Sequence, residues 1–153
     1  HGEEAKCLEK MEKCFIEGRK MLDEITEELT GVQKEDSIRL CNLLRYMEHC
    51  IRTTIHVKQW SVLRCKCAAE TDGKKLLELH RQMTAIGEAE IQNARQTIPL
   101  VEADSRLGWE PSMEYIGSVY HLNWKIRQVR QVLDTEIPRL NWDIQYIMDK
   151  DGE

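Results

Sequence analysis

Leu8, Met11, Phe15, Gly18, Leu22, Ile25 and Leu29 recur at alternating spacings of three and four residues, a pattern that suits a helix and little else. Cys7, Cys14 and Met21 widen this seam into a stripe broad enough to face a core. Gly31 follows the last seam residue, where a helix C-cap favours glycine, and Asp36 or Ser37 can cap a second helix.

The second helix is predicted from about Ser37 to Ala69, on the apolar positions Leu40, Leu43, Leu44, Met47, Cys50, Ile51, Ile55, Val57 and Val62. The β-branched run Thr53-Thr54-Ile55 lowers helix propensity, but the flanking period outweighs it. Thr71-Asp72-Gly73 reads as a turn. A third helix opens near Lys74 and carries Leu76, Leu79, Met83, Ile86, Ile91, Ala94 and Ile98, with a kink or restart expected at Pro99. The fourth spans about Ser118 to Met148, along Val119, Leu122, Ile126, Val129, Leu133, Ile137, Leu140, Ile144 and Ile147, and Pro138 should bend or break it. Four helices of this length, each about 45 Å long, with two short links, predict an all-α, up-down-up-down four-helix bundle with a long loop between helices 3 and 4. Residues 1–153 form a single domain in this reading. No positively charged apolar leader precedes the first helix, and the chain begins His1-Gly2, as a fragment of a larger chain, a processed terminus or a tag remnant would.

Charge narrows the partners. Residues 1–36 hold six Lys/Arg against eleven Asp/Glu, whereas residues 37–153 hold sixteen of each. An acidic first helix on a neutral body lacks the basic face that nucleic acid requires. No apolar run reaches the roughly 18–20 residues of a membrane span, so neither nucleic acid nor membrane is expected as a partner. The six cysteines lack zinc-ribbon spacing, and Cys7/Cys14 and Cys41/Cys50 are too far apart along a straight helix to bridge. Reduced, structural cysteines in a cytoplasmic protein follow.

Chemistry-bearing patterns are sparse. No histidine has an acidic residue three positions before it, as the di-iron Glu-x-x-His pattern needs, and His-Glu-x-x-His is absent. Phosphate-binding glycine loops and the Gly-x-Ser-x-Gly elbow are absent too. No metal, cofactor or catalytic residue is assigned. His49, Thr53, His56 and Trp60 line one side of the second helix, as a polar or interface stripe or a ligand face. The stretch Glu102–Tyr115 is different: the apolar period stops, and Asp104, Arg106, Trp109, Glu110, Glu114 and Tyr115 crowd around Gly108 and Pro111. Loops of this kind lean toward function. An aromatic ring can cover an apolar sugar face while charged groups bond its hydroxyls, and Asp104, Glu110 and Glu114 offer carboxylates for acid/base work. The plainer alternative is that Trp109 plugs the open end of the bundle and Arg106 pairs with a nearby carboxylate.

Residues 93–115, from Asn93-Ala-Arg-Gln-Thr-Ile-Pro through Leu107-Gly-Trp-Glu-Pro-Ser-Met-Glu-Tyr115, together with His121-Leu-Asn-Trp-Lys-Ile-Arg-Gln-Val-Arg-Gln-Val-Leu133, resemble the helical C-terminal region of poorly characterised bacterial carbohydrate-active, glycoside-hydrolase-like proteins. The resemblance covers about 40 residues and implies a non-catalytic accessory domain that follows a catalytic barrel. The 102–115 loop would then contact the catalytic domain of a parent chain, or a glycan. It implies no enzyme activity for this chain alone, which would at most be part of a glycoside hydrolase. A self-contained cytoplasmic protein–protein interaction module, capable of self-association, is the alternative. A stand-alone hydrolase using the loop carboxylates is a third.

Overall fold

The computed structural model describes residues 2–108 and 117–151. Helices α1 (Gly2–Glu28), α2 (Gly31–Ala69) and α3 (Gly73–Ala103) are joined by links of two and three residues. A fourth rod consists of α4 (Val119–Gln131), a π-helical stretch (Val132–Glu136) and α5 (Ile137–Asp151). The described residues contain no strand. The all-α four-helix arrangement with a long connection between its third and fourth members therefore holds.

Three local expectations change. The second helix starts at Gly31, not Ser37, because Gly31 takes φ +57 and reverses the chain within two residues. Ser37 then turns inward and meets the Thr26 hydroxyl beside Cys41 instead of capping. Pro99 does not restart the third helix, which continues to Ala103. The carbonyl that Pro99 deprives of a partner belongs to Arg95, an exposed residue where water can replace the missing bond. Pro138 does not break the fourth rod either. One turn before it the backbone widens, and Ile137 N–H bonds the Val132 carbonyl five residues back. That spacing relieves the clash a proline ring makes with the preceding turn.

α3 is the spine. His80, Met83, Gly87, Glu90, Ala94, Thr97 and Val101 repeat at spacings of three and four and are all buried. Leu63 of α2, Met83 and Ile91 of α3, and Leu133 and Ile137 of the fourth rod form the core, walled by Trp60, Ile86, Ile126 and Val129. Gly87 lets Leu133 approach closely, since a Cβ there would stand 2.8 Å from a Leu133 methyl.

The ring of helices is open. α1 packs along α2, while α2 and the fourth rod pack on α3, and among the described residues α1 makes no comparable contact with α3, α4 or α5. The α1–α2 seam is laced by charge. Arg19 joins Asp23 and Glu48, both at 2.6 Å, and Arg52 joins Glu12 at 2.7 Å. Helical periodicity places two further rows on the side of this hairpin opposite α3: Cys7, Met11, Cys14, Gly18, Met21 and Ile25 on α1, and Leu40, Leu43, Met47 and Thr54 on α2, while Cys50 and Val57 turn toward the cleft between α2 and α4. Neither row contains a charged residue. Met21, Ile25 and Leu40 are 66%, 53% and 46% exposed.

Buried and open apolar positions should respond differently to substitution. Ile91→Ala is expected to remove about 2–5 kcal/mol of stability, because Ile91 is fully enclosed. Leu43→Gln should stay within about 0.5 kcal/mol. Urea denaturation of both variants checks this, and a large loss for Leu43→Gln would mean that its face is covered.

Candidate functional site: a buried carboxylate beneath an interhelical cleft

The α2 stripe His49, Thr53, His56 and Trp60 faces α3 and α4, where it meets the polar members of the spine. Glu90 is at the centre, buried at 7% exposure. Its Oε1 accepts from the Thr53 hydroxyl at 2.8 Å and from the Lys125 ammonium of α4. Its Oε2 accepts from His56 Nδ1 at 2.6 Å. Lys125 also reaches Thr53 Oγ1 at 3.2 Å. Burial alone would raise the Glu90 pKa, but the donors from His56, Lys125 and Thr53 outweigh it and hold the group at about 2.

Asn93 extends the network by one turn. Its amide nitrogen donates to the His49 carbonyl and to Thr53 Oγ1, both at 3.0 Å. Its Oδ1 lies 2.6 Å from His49 Nδ1, so that nitrogen carries the proton. Burial pushes the His49 pKa below its ordinary value, opposed by this bond. A second pair of the same kind, His80 Nδ1 with Asn141 Oδ1 at 2.6 Å, ties α3 to α5.

α2 and α4 both rest on α3 but hardly on each other, which leaves a cleft with α3 as its floor. Lys125 spans the cleft and separates two cavities. One, of 410 Å³, lies among Tyr46, His49, Cys50, Leu122 and Trp124. The other, of 380 Å³, lies among His56, Trp60, Ile86, Gly87, Val129 and the π-helical Val132. A depression of 420 Å³ at the α2–α3 turn is lined by Lys66, Glu70, Lys75 and Glu78 and adjoins no buried polar cluster. Among the described residues no three His, Cys, Asp or Glu side chains converge as metal ligands. Glu90, engaged by three donors and strongly acidic, is a poor proton acceptor, so the arrangement suits holding a molecule better than moving protons.

The residues singled out from sequence lie elsewhere. Asp104 caps α3 and accepts from Arg106 N, Nε and Nη2 at 3.0, 2.8 and 2.6 Å. The Arg106 bonds hold the Asp104 carboxyl at about 2. The pair is thus engaged with itself, with the Arg106 side chain 75% exposed. Trp109, Glu110, Glu114 and Tyr115 lie outside the described residues. The two ends of the loop do meet. Gly108 takes φ +88, and a Cβ on Gly117 would fall 2.7 Å from Gly108 Cα and 2.8 Å from the Tyr46 hydroxyl.

Sequence reasoning found the α2 half of the cluster but missed Glu90, Asn93 and Lys125. The signal was present in the three-four row of α3, which a search for apolar residues passes over because Gly87, Glu90 and Thr97 occupy it. No known protein family, curated protein or solved structure matches the chain.

Two outcomes follow from this geometry. A carboxyl whose folded pKa is depressed stabilises the fold above its unfolded value of about 4.5, and that contribution fades as pH falls toward 2. Stability should therefore drop by roughly 3 kcal/mol between about pH 5 and pH 2 on account of Glu90, and the Glu90→Gln chain, less stable at pH 7, should show a flatter acid limb in urea denaturation. Gly117→Ala should cost about 1–3 kcal/mol through the collision with backbone, read as a lowered urea midpoint. An unchanged midpoint would mean that the loop ends do not close there.

Proposed function

We propose that this chain is a non-catalytic helical accessory domain of a larger bacterial carbohydrate-active protein of glycoside-hydrolase type, docked on its partner through the outer face of the α1–α2 hairpin. One observation carries the docking role: two apolar rows, bordered at one end by the Lys58–Glu4 ion pair, stand open to solvent on that hairpin. Contiguous apolar surface of this extent marks interaction sites. Taken at ordinary side-chain areas, the exposed parts of Met11, Met21, Ile25, Leu40, Leu43 and Met47 supply roughly two-thirds of the ~800 Å² per partner of a standard interface. The carbohydrate assignment is supported by the resemblance carried by residues 93–115 and 121–133. In this reading the 102–115 loop contacts the catalytic domain or a glycan, with the Asp104–Arg106 pair fixing its departure from α3 and Gly117 on Gly108 closing its base. All six cysteines are free thiols, which suits a reducing, cytoplasmic setting.

A self-contained interaction module is the second reading, favoured by the regular three-four spacing of the exposed α1 row, which suits pairing with another helix. The size of the native polypeptide on a lysate blot separates the two. A band several times the 18.0 kDa of this chain supports the accessory domain, and a band near that mass rules it out.

The isolated chain is expected to self-associate with concentration in analytical ultracentrifugation. Joint Met21→Lys and Leu43→Lys substitution should return it to monomer without loss of helicity. A wild-type chain that stays monomeric at high concentration would refute docking through this face. The glycan arm predicts a tryptophan fluorescence change with a cognate oligosaccharide that is lost in Trp109→Ala.

A further inference from the structure

Separate from the docking face, the cleft between α2 and α4 carries an inference of its own. We propose that the 380 Å³ cavity beside Trp60 binds a small, neutral organic molecule with a flat apolar body and one oxygen acceptor. Its volume falls in the range of ligand pockets, and the space between helices of a bundle is a usual place for one. Trp60 forms one wall, Val129 and Val132 the other, and Gly87 with Ile86 the floor, which shapes a slot for a planar body. The π-helical stretch supplies Val132 and Glu136 to the lining, and such stretches recur at functional sites.

The polar end of the cavity selects the ligand's functional group. Glu90 already accepts three bonds and is buried, so its carboxylate is largely committed before any ligand enters. Lys125 spends two of its three N–H groups, on Glu90 and Thr53, and the third has no partner among the described residues. His56 donates its Nδ1–H to Glu90, which leaves Nε2 as an acceptor without a partner among the described residues. The open valences are therefore a donor at Lys125 and an acceptor at His56 Nε2, and a hydroxyl oxygen on the ligand answers both. The ligand's charge follows from the balance at the site. Lys125 and Glu90 compensate each other, so a carboxylate would add an unmatched negative charge beside Glu136 in a half-buried place. An amine would meet Lys125 as a like charge. A hydroxyl or carbonyl oxygen meets neither penalty.

Calorimetric titration of the whole chain at pH 7 with 2-naphthol, 2-naphthoate and 2-naphthylmethylammonium tests this. 2-Naphthol should bind at least about tenfold tighter than either charged analogue. Val129→Trp, which fills the slot, should weaken it by about tenfold or more, and Ile86→Phe replaces that variant if its circular dichroism shows it unfolded. Joint Lys125→Met and Glu90→Leu, which removes both charges together, should lose the preference for the hydroxyl. Met21→Lys, on the docking face, should bind as the wild type does. No binding of 2-naphthol, equal affinity for all three probes, a charged analogue binding tightest, or full binding by both filled variants would each overturn the proposal.

Discussion

The fold is organised around one ionised carboxylate taken out of water. A buried charge is tolerated only when paired and fully hydrogen-bonded, and Glu90 meets that condition only because α2 supplies Thr53 and His56 while α4 supplies Lys125. Each helix must therefore hold one register against α3. A slip of one residue on either helix would turn a donor away and leave the carboxylate unmatched. The apolar core around Ile91 and Leu133 supplies most of the stabilising contact, but it is tolerant of register in a way that the Glu90 cluster is not.

That constraint also explains why the cleft is open. Lys125 is long enough to reach Glu90 from a helix that does not touch α2 closely, so the polar bond is made without bringing the two backbones together. Gly87 and Ala94 keep the α3 floor low on either side of the carboxylate. Two cavities remain where a tightly closed bundle would have had side chains interlocked. The π-helical widening before Pro138 lies at the end of the same cleft, so the accommodation of the proline and the shape of the cavity are one feature.

α1 stands apart from this arrangement. Its ion pairs join it to α2 along the seam, and its remaining apolar row faces outward alongside the matching row of α2. In a closed four-helix bundle the fourth helix would also pack along α1, on the side of the hairpin that α3 covers. Here the fourth helix is committed to α3, and the hairpin keeps an apolar side that another surface can cover.

How far the chain could be read before its tertiary structure is visible in particular residues. The heptad spacing from Leu8 to Leu29 and the turn at Thr71-Asp72-Gly73 determine helices and links, because backbone periodicity and turn chemistry act within a few residues. The polar stripe His49, Thr53, His56 was legible for the same reason. Its target was not: Glu90 and Lys125 lie 37 and 72 residues from Thr53, and no local pattern says that they meet. That Arg106 could pair with a nearby carboxylate was legible, but that its partner is Asp104, held by two bonds, depends on how α3 ends rather than on composition. Sequence alone determined that this chain is four helices, because helix formation is a local property of spacing and capping. Tertiary structure alone decided that the ring stays open and that its centre is a charge, because both depend on which faces distant helices present to one another.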